Sequence, residues 1–84
     1  MKHATAPALE KLSPLLTQIR ARTGLKEKKL GIFYRKSKSF LHFHEDPAGL
    51  FADLSTAANF TRLAVNTPDE CDVLLRALDD ALKS

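Results

Sequence analysis

Apolar residues near the start of the chain recur three and four positions apart, the spacing that lines one side of an α-helix. The repeat runs from residue 8 to residue 22 and consists of Leu9, Leu12, Leu16 and Ile19. Pro14 conflicts with a continuous helix, because an internal proline removes a hydrogen bond and costs roughly 3 kcal/mol. The pattern therefore predicts either a kink at Pro14 or a short turn before a helix that begins there.

A second helix is predicted at the end of the chain. Thr67 can cap it, Pro68 suits its first position, and Glu70 is placed to complete a capping box. The apolar side of this helix would consist of Cys71, Leu74, Leu75, Leu78 and Leu82.

Between the helices lie short runs rich in β-branched and aromatic residues, separated by turn-forming residues. They predict four strands, at Leu30–Arg35, Ser39–Glu45, Leu50–Ser55 and Phe60–Asn66. Asp46, Pro47 and Gly49 occupy favoured positions of a type I turn, so the second and third strands should form a hairpin. The predicted fold class is α+β: a four-stranded antiparallel meander with N- and C-terminal helices packed on one face (α-β-β-β-β-α). Residues 1–84 would form a single domain, with residues 1–7 as a disordered tail.

Strand pairing decides which face of the sheet each side chain occupies, because successive residues of a strand point to opposite faces. Pairing Leu41 with Leu54, and Phe43 with Ala52, directs all four residues inward. The same rule extends the inner face to Ile32, Tyr34, Leu50, Leu63 and Val65. It directs a second set outward, in which His42 lies beside Asp53 and Asp53 beside Arg62. That outer set is Phe33, Phe40, His42, His44, Phe51, Asp53, Phe60 and Arg62, with Gly31, Arg35, Ser55 and Ala64.

Length and composition favour a binding module over an enzyme. A chain of 84 residues supports one modest core. Its formal charge of +3 is mildly basic and weakly permits an anionic partner. The single cysteine, the lack of a charged and then apolar leader, and the lack of an apolar run of roughly 20 residues predict a soluble, cytoplasmic protein with no membrane partner.

The outer set holds four of the five phenylalanines, which is unusual for a sheet face exposed to water. Three explanations are open. One helix could pack on each face, so that the phenylalanines belong to the core. The face could instead form a homodimer or bind another protein, or it could be a pocket or stacking platform for a ligand or for single-stranded nucleic acid.

His42 and His44 occupy alternate strand positions and share a face, so a metal site with Asp53 as third ligand is geometrically possible. Arg62 competes for the Asp53 carboxylate, and no further His pair or cysteine completes the set. The sequence therefore favours a polar row that ties the strands together, with no metal or other cofactor. No convincing catalytic constellation is present: Ser39 and Ser55 lie at strand ends, outside any nucleophile-elbow motif, and Cys71 begins the apolar side of a helix.

Basic residues cluster in the segments 26–29 and 35–38. Arg35, Lys36 and Lys38 lie beside Phe33 and Phe40, and positive charge next to aromatic faces is the combination that single-strand binding uses. Four meandering strands followed by a helix are also similar, in topology, to dimeric coactivator domains that bind single-stranded DNA. Nucleic acid is therefore a possible partner.

The segment Leu30–Leu54, with its Phe-Leu-His-Phe-His-Glu-Asp-Pro-Ala-Gly core, resembles small, conserved, uncharacterised bacterial proteins. The resemblance implies a bacterial cytosolic domain and no particular activity. We expect a small binding or assembly module that forms a homodimer through its aromatic outer face. Nucleic-acid binding, or metal or small-ligand binding at His42, His44 and Asp53, are the alternatives.

Overall fold

The computed structural model of the chain describes residues 2–56 and 59–83. An antiparallel sheet with helices before and after it confirms the predicted α+β class. In chain order the elements are β1 (Lys2–His3), α1 (Ala6–Lys11), α2 (Ser13–Arg20), β2 (Lys26–Lys29), β3 (Ile32–Arg35), β4 (Lys38–Asp46), β5 (Gly49–Thr56), β6 (Asn59–Ala64) and α3 (Pro68–Leu82). The strand order is β2-β3-β4-β5-β6, and β1 pairs with β4.

The sheet has more strands than the four predicted, because the basic segment 26–29 is β2 and not a loop. Its sequence, Lys-Glu-Lys-Lys, lacks apolar alternation, and contacts with side chains of the preceding helix and the following strand hold it in place. Glu27 accepts two hydrogen bonds from Arg20, at 2.6 and 3.0 Å, and the Lys28 ammonium lies 4.6 Å from the centre of the Tyr34 ring. The two-residue turn into β3 uses Gly31 at φ +75°, where an added Cβ would lie 2.7 Å from Leu9 Cδ2.

The start of the chain, for which we expected a tail, also joins the sheet. Lys2 pairs with Glu45 and His3 with His44, on the edge of β4 that lies beyond the end of β3. The Ala4 amide then donates to the Phe43 carbonyl at 3.1 Å.

The predicted pairing of β4 with β5 and of β5 with β6 is confirmed. Leu41 pairs with Leu54 and Phe43 with Ala52, while Ala52 also pairs with Leu63. The hairpin turn at residues 46–49 is present, with the Ala48 amide donating to Asp46 Oδ1 at 2.9 Å. These inner residues join the buried helical residues in one core, which comprises Leu9, Leu12, Leu15, Leu16, Ile19, Phe33, Phe40, Leu41, Phe43, Ala52, Leu54, Val65, Leu74 and Leu78.

The predicted register of β3 is wrong. Phe33 pairs with Leu41 and is 1% exposed, whereas Ile32 pairs with His42 and so turns outward. The cause is a tight turn at Lys36 and Ser37, both at positive φ (53° and 69°), followed by a β-bulge at residue 40. A bulge inserts one unpaired residue and so exchanges the faces of the residues beyond it.

Phe40 and Arg35 were also predicted to face outward, and both are on the helix side. Phe40 is 8% exposed and belongs to the core. The Arg35 guanidinium lies 5.6 Å from the centre of the Phe40 ring and donates to the Ala81 and Leu82 carbonyls at the end of α3. A cation there satisfies terminal carbonyls and complements the helix dipole.

The ends of the helices are close to the proline and capping residues that predicted them. The N-terminal segment is interrupted near Pro14 as expected, but the break falls at Leu12: a six-residue helix, α1, precedes it, and α2 begins at Ser13 with Pro14 in its first turn. At α3 the capping box is present: Thr67 Oγ1 accepts from the Glu70 amide at 3.1 Å, and Glu70 Oε1 accepts from the Thr67 amide at 3.2 Å.

The register of β3 predicts a large difference between two phenylalanines. Phe33→Ala should lower the free energy of unfolding by about 3–5 kcal/mol, because it leaves a cavity in the core. Phe60→Ala should cost less than about 1 kcal/mol, since Phe60 is 48% exposed. Urea denaturation measures both, and Phe33→Leu serves as a milder substitution if Phe33→Ala does not fold. Equal small losses at both positions would contradict the register.

Candidate functional site

One face of the sheet lies opposite the helices, and we call it the outer face. Its register follows from the pairs Ile32 with His42, His42 with Asp53, Asp53 with Arg62 and His44 with Phe51. The outer face is defined by Ile32, Tyr34, His42, His44, Phe51, Asp53, Phe60 and Arg62. No described helix packs on it, since each of the three helices contributes buried leucines to the core on the other side.

Asp53 is the centre of the polar contacts on this face and is 6% exposed. Arg62 binds it in a bidentate manner, with Nε 2.8 Å from Oδ1 and Nη2 2.9 Å from Oδ2. This pair holds the pKa of the Asp53 carboxyl below its usual value, chiefly through the Arg62 hydrogen bonds, and it raises the pKa of Arg62. Asp53 is therefore a carboxylate at neutral pH.

Two histidines stand next to this carboxylate. His44 Nε2 lies 2.9 Å from Asp53 Oδ2. The His42 ring meets the His44 ring nearly edge-on, with centroids 4.9 Å apart, and lies 5.1 Å from the Phe60 ring. One potential ligand atom from each of His42, His44 and Asp53 can be chosen so that all lie within 4.8 Å of one another. We call these three residues the His–Asp cluster.

The sequence predicted the cluster only in part. His42 is the residue directly across from Asp53, as predicted, but it is the diagonal neighbour His44 whose Nε2 lies 2.9 Å from the carboxylate. Strand register fixes which residues are neighbours, whereas side-chain rotamers decide which imidazole reaches the oxygen. Ile32 and Tyr34 were missed as members of the outer face because the bulge at residue 40 has no recognisable sequence signal.

The residues proposed for nucleic-acid binding are not brought together as that alternative requires. Lys36 and Lys38 are exposed at the β3–β4 turn, near a depression of about 250 Å³ that Ser39 and Ser55 also line. Phe33 and Phe40, which were to stack on bases beside these lysines, lie in the core. Arg35 is engaged at the end of α3. The combination of free aromatic faces and adjacent cations is thus absent from this turn.

Cys71 is half-buried in the first turn of α3, and its Sγ lies 3.8 Å from the Val65 carbonyl oxygen. Burial is the largest of the effects that raise the pKa of its thiol, and the carboxylates of Asp72 and Glu70 add to it. The thiol therefore stays protonated at neutral pH and is a poor nucleophile. It lines a groove of about 370 Å³ on the helix side, together with Leu12, Leu15 and Val65.

Comparison with known proteins finds no matching family model, no similar curated protein and no similar solved structure. Among the described residues, no helix has the length and apolar character required to cross a bilayer.

The lowered pKa of Asp53 predicts a defined pH dependence of stability. A depressed carboxyl pKa contributes stability that is complete above the unfolded-state value, about 3.9, and is lost as the pH falls through the folded-state value. Asp53→Asn should lower the free energy of unfolding by about 1–3 kcal/mol at pH 7. The difference from the wild type should shrink as the pH falls below the unfolded-state value.

Urea denaturation at several pH values measures this difference. Acid-sensitive pairs elsewhere, such as Arg22 with Asp79, are present in both proteins and cancel in the comparison. Asp72→Asn, at an exposed position of α3, is the matched control and should change stability little at pH 7. An Asp53→Asn difference that stays constant into acid would contradict the role assigned to the Asp53 carboxylate.

Proposed function

We propose that the chain is a small assembly module whose copies associate through the outer face of the sheet. The observation that supports this most directly is Phe60, which is 48% exposed on a face that also carries half-buried Ile32, Tyr34 and Phe51. An antiparallel sheet with one solvated face ordinarily carries polar side chains there. Aromatic and aliphatic side chains at these positions favour contact with another apolar surface.

The charges in the middle row of the outer face are compatible with binding of a second copy of the chain. A two-fold interface brings the same patch of both copies together, so a patch with net charge repels itself. In the middle row the charges of Asp53 and Arg62 neutralise each other at 2.8–2.9 Å. The middle row therefore adds no net charge to the interface, and the lysines of β2 lie at one edge of the sheet.

The architecture also favours packing of one sheet on another. A domain of this kind has two layers, helices and sheet, and the inner face of the sheet already contributes to the core. Sheets pack face to face about 10 Å apart with interdigitating side chains. Phe60 and Phe51 would supply the apolar centre of such an interface, and Arg62 and Lys28 its polar rim.

Phe60→Lys should shift the monomer–dimer equilibrium toward monomer by at least about tenfold in dissociation constant, because it places like charges across the two-fold interface. Sedimentation equilibrium over a range of concentrations measures this. Val73→Lys is the matched control: Val73 is 51% exposed on α3, away from the outer face, and its substitution should leave the equilibrium unchanged. A wild-type chain that remains strictly monomeric at the highest attainable concentration would refute the proposal.

A further inference from the structure

The structure assigns the His–Asp cluster as a binding site for a divalent first-row transition-metal ion, with Arg62 as a competitor for the carboxylate. This site does not depend on self-association, because all three ligands come from one copy of the chain. His42 and His44 share a face of β4, and Asp53 faces them from the adjacent strand β5.

The geometry of the cluster is close to that of a metal site. The ligand atoms of a four-coordinate zinc ion lie about 2.0–2.2 Å from the metal, and hence roughly 3.3 Å from each other. In the His–Asp cluster the potential ligand atoms are within 4.8 Å of one another, and His44 Nε2 and Asp53 Oδ2 are already 2.9 Å apart. Rotation of the imidazole rings would shorten the longer separations and slightly lengthen the 2.9 Å one while β4 and β5 stay paired.

The ligand types define the class of ion. Two imidazole nitrogens and one carboxylate oxygen suit zinc, cobalt(II), nickel or iron(II), whereas calcium and magnesium prefer an all-oxygen shell. Three protein ligands on one side also leave at least one coordination position open, as in sites that bind water or exchange a small ligand.

The surroundings of the cluster support a bound cation. The Asp53 side chain is 9% exposed and that of His44 is 13% exposed, while the Phe60 ring flanks His42. A partly desolvated site of this kind strengthens the attraction between a cation and a carboxylate.

Arg62 is bound to the Asp53 carboxylate in the structure, and its exposure to solvent allows it to dissociate from that carboxylate. Its side chain is 50% exposed, so the guanidinium can swing into solvent when a metal ion approaches Oδ2. The positive charge of Arg62 also repels a cation bound to the same carboxylate. Arg62 should therefore stabilise the metal-free fold and weaken metal binding at the same time.

The test is titration of the intact chain with zinc, by calorimetry, and with cobalt(II), by visible absorption. Wild type should bind one ion per chain. His42→Gln and His44→Gln should each weaken binding by at least about 100-fold, more than is typical for loss of an outer-shell partner. Cys71→Ser is the matched control and should bind as the wild type does, without a thiolate-to-cobalt charge-transfer band in either protein.

The variant Arg62→Met distinguishes a metal site from a row of polar residues that only holds the strands together. It should lower the free energy of unfolding yet tighten metal binding about tenfold, because the competing cation is lost. A row that only ties the strands together would show the loss of stability without a gain in metal affinity.

Circular dichroism of each variant establishes that it is folded before titration. The inference is overturned if wild type binds neither zinc nor cobalt(II), if binding survives in a His42→Gln/His44→Gln double variant, or if Arg62→Met weakens binding. These outcomes are read from metal binding, and the sedimentation result is read from the mass of the chain in solution, so failure of the metal site and failure of self-association can be distinguished.

Discussion

The pairing of β4 with β5 is the contact on which the rest of the molecule depends. It runs without interruption from Leu41 opposite Leu54 to Asp46 opposite Gly49. Because strand side chains alternate, this one alignment places Leu41 in the core and His44 beside Asp53. A slip of one residue would exchange the two faces and bring the imidazoles under the helices. The free energy of apolar burial therefore enforces the geometry of the His–Asp cluster, although no core residue takes part in it.

The sequence predicted those parts of the fold whose local and tertiary signals agree. The β4–β5 hairpin has clear alternation and a recognisable turn, and α3 has its capping box. The failure at β3 has two causes. Its residues Ile32, Phe33 and Tyr34 are apolar or aromatic on both sides, so alternation does not choose a face. The turn at Lys36 and Ser37 has positive φ without glycine or asparagine, which are the residues that normally mark such turns. The strand β2 was missed because it has no apolar alternation, and side chains of neighbouring elements, Arg20 of α2 and Tyr34 of β3, stabilise it.

The sequence was sufficient to predict which residues of the candidate site are neighbours on adjacent strands. It was not sufficient to predict which side chains contact each other. Register alone placed His42, Asp53 and Arg62 in one row, and the structure has that row. Register could not show that His44 would reach the Asp53 carboxylate while His42 packs against Phe60, because both imidazoles are within side-chain reach. Nor could it show that Phe33 and Phe40 are core residues. The loss of these two rings from the outer face changes its character from a broad aromatic surface to a compact apolar and imidazole patch centred on Asp53.

The separation of the two faces has a consequence for the Asp53–Arg62 pair. An ion pair that is half-exposed on the arginine side contributes modestly to stability, whereas the core residues on the opposite face supply the larger apolar term. The chain can therefore rearrange the pair and remain folded, as long as β4 and β5 keep their register. The Asp53 carboxylate lies next to two imidazoles, and its cationic partner, Arg62, can move. It therefore differs in one respect from a carboxylate that only holds two strands together. Arg62 is half-exposed, so another cation can replace it while β4 and β5 stay in register.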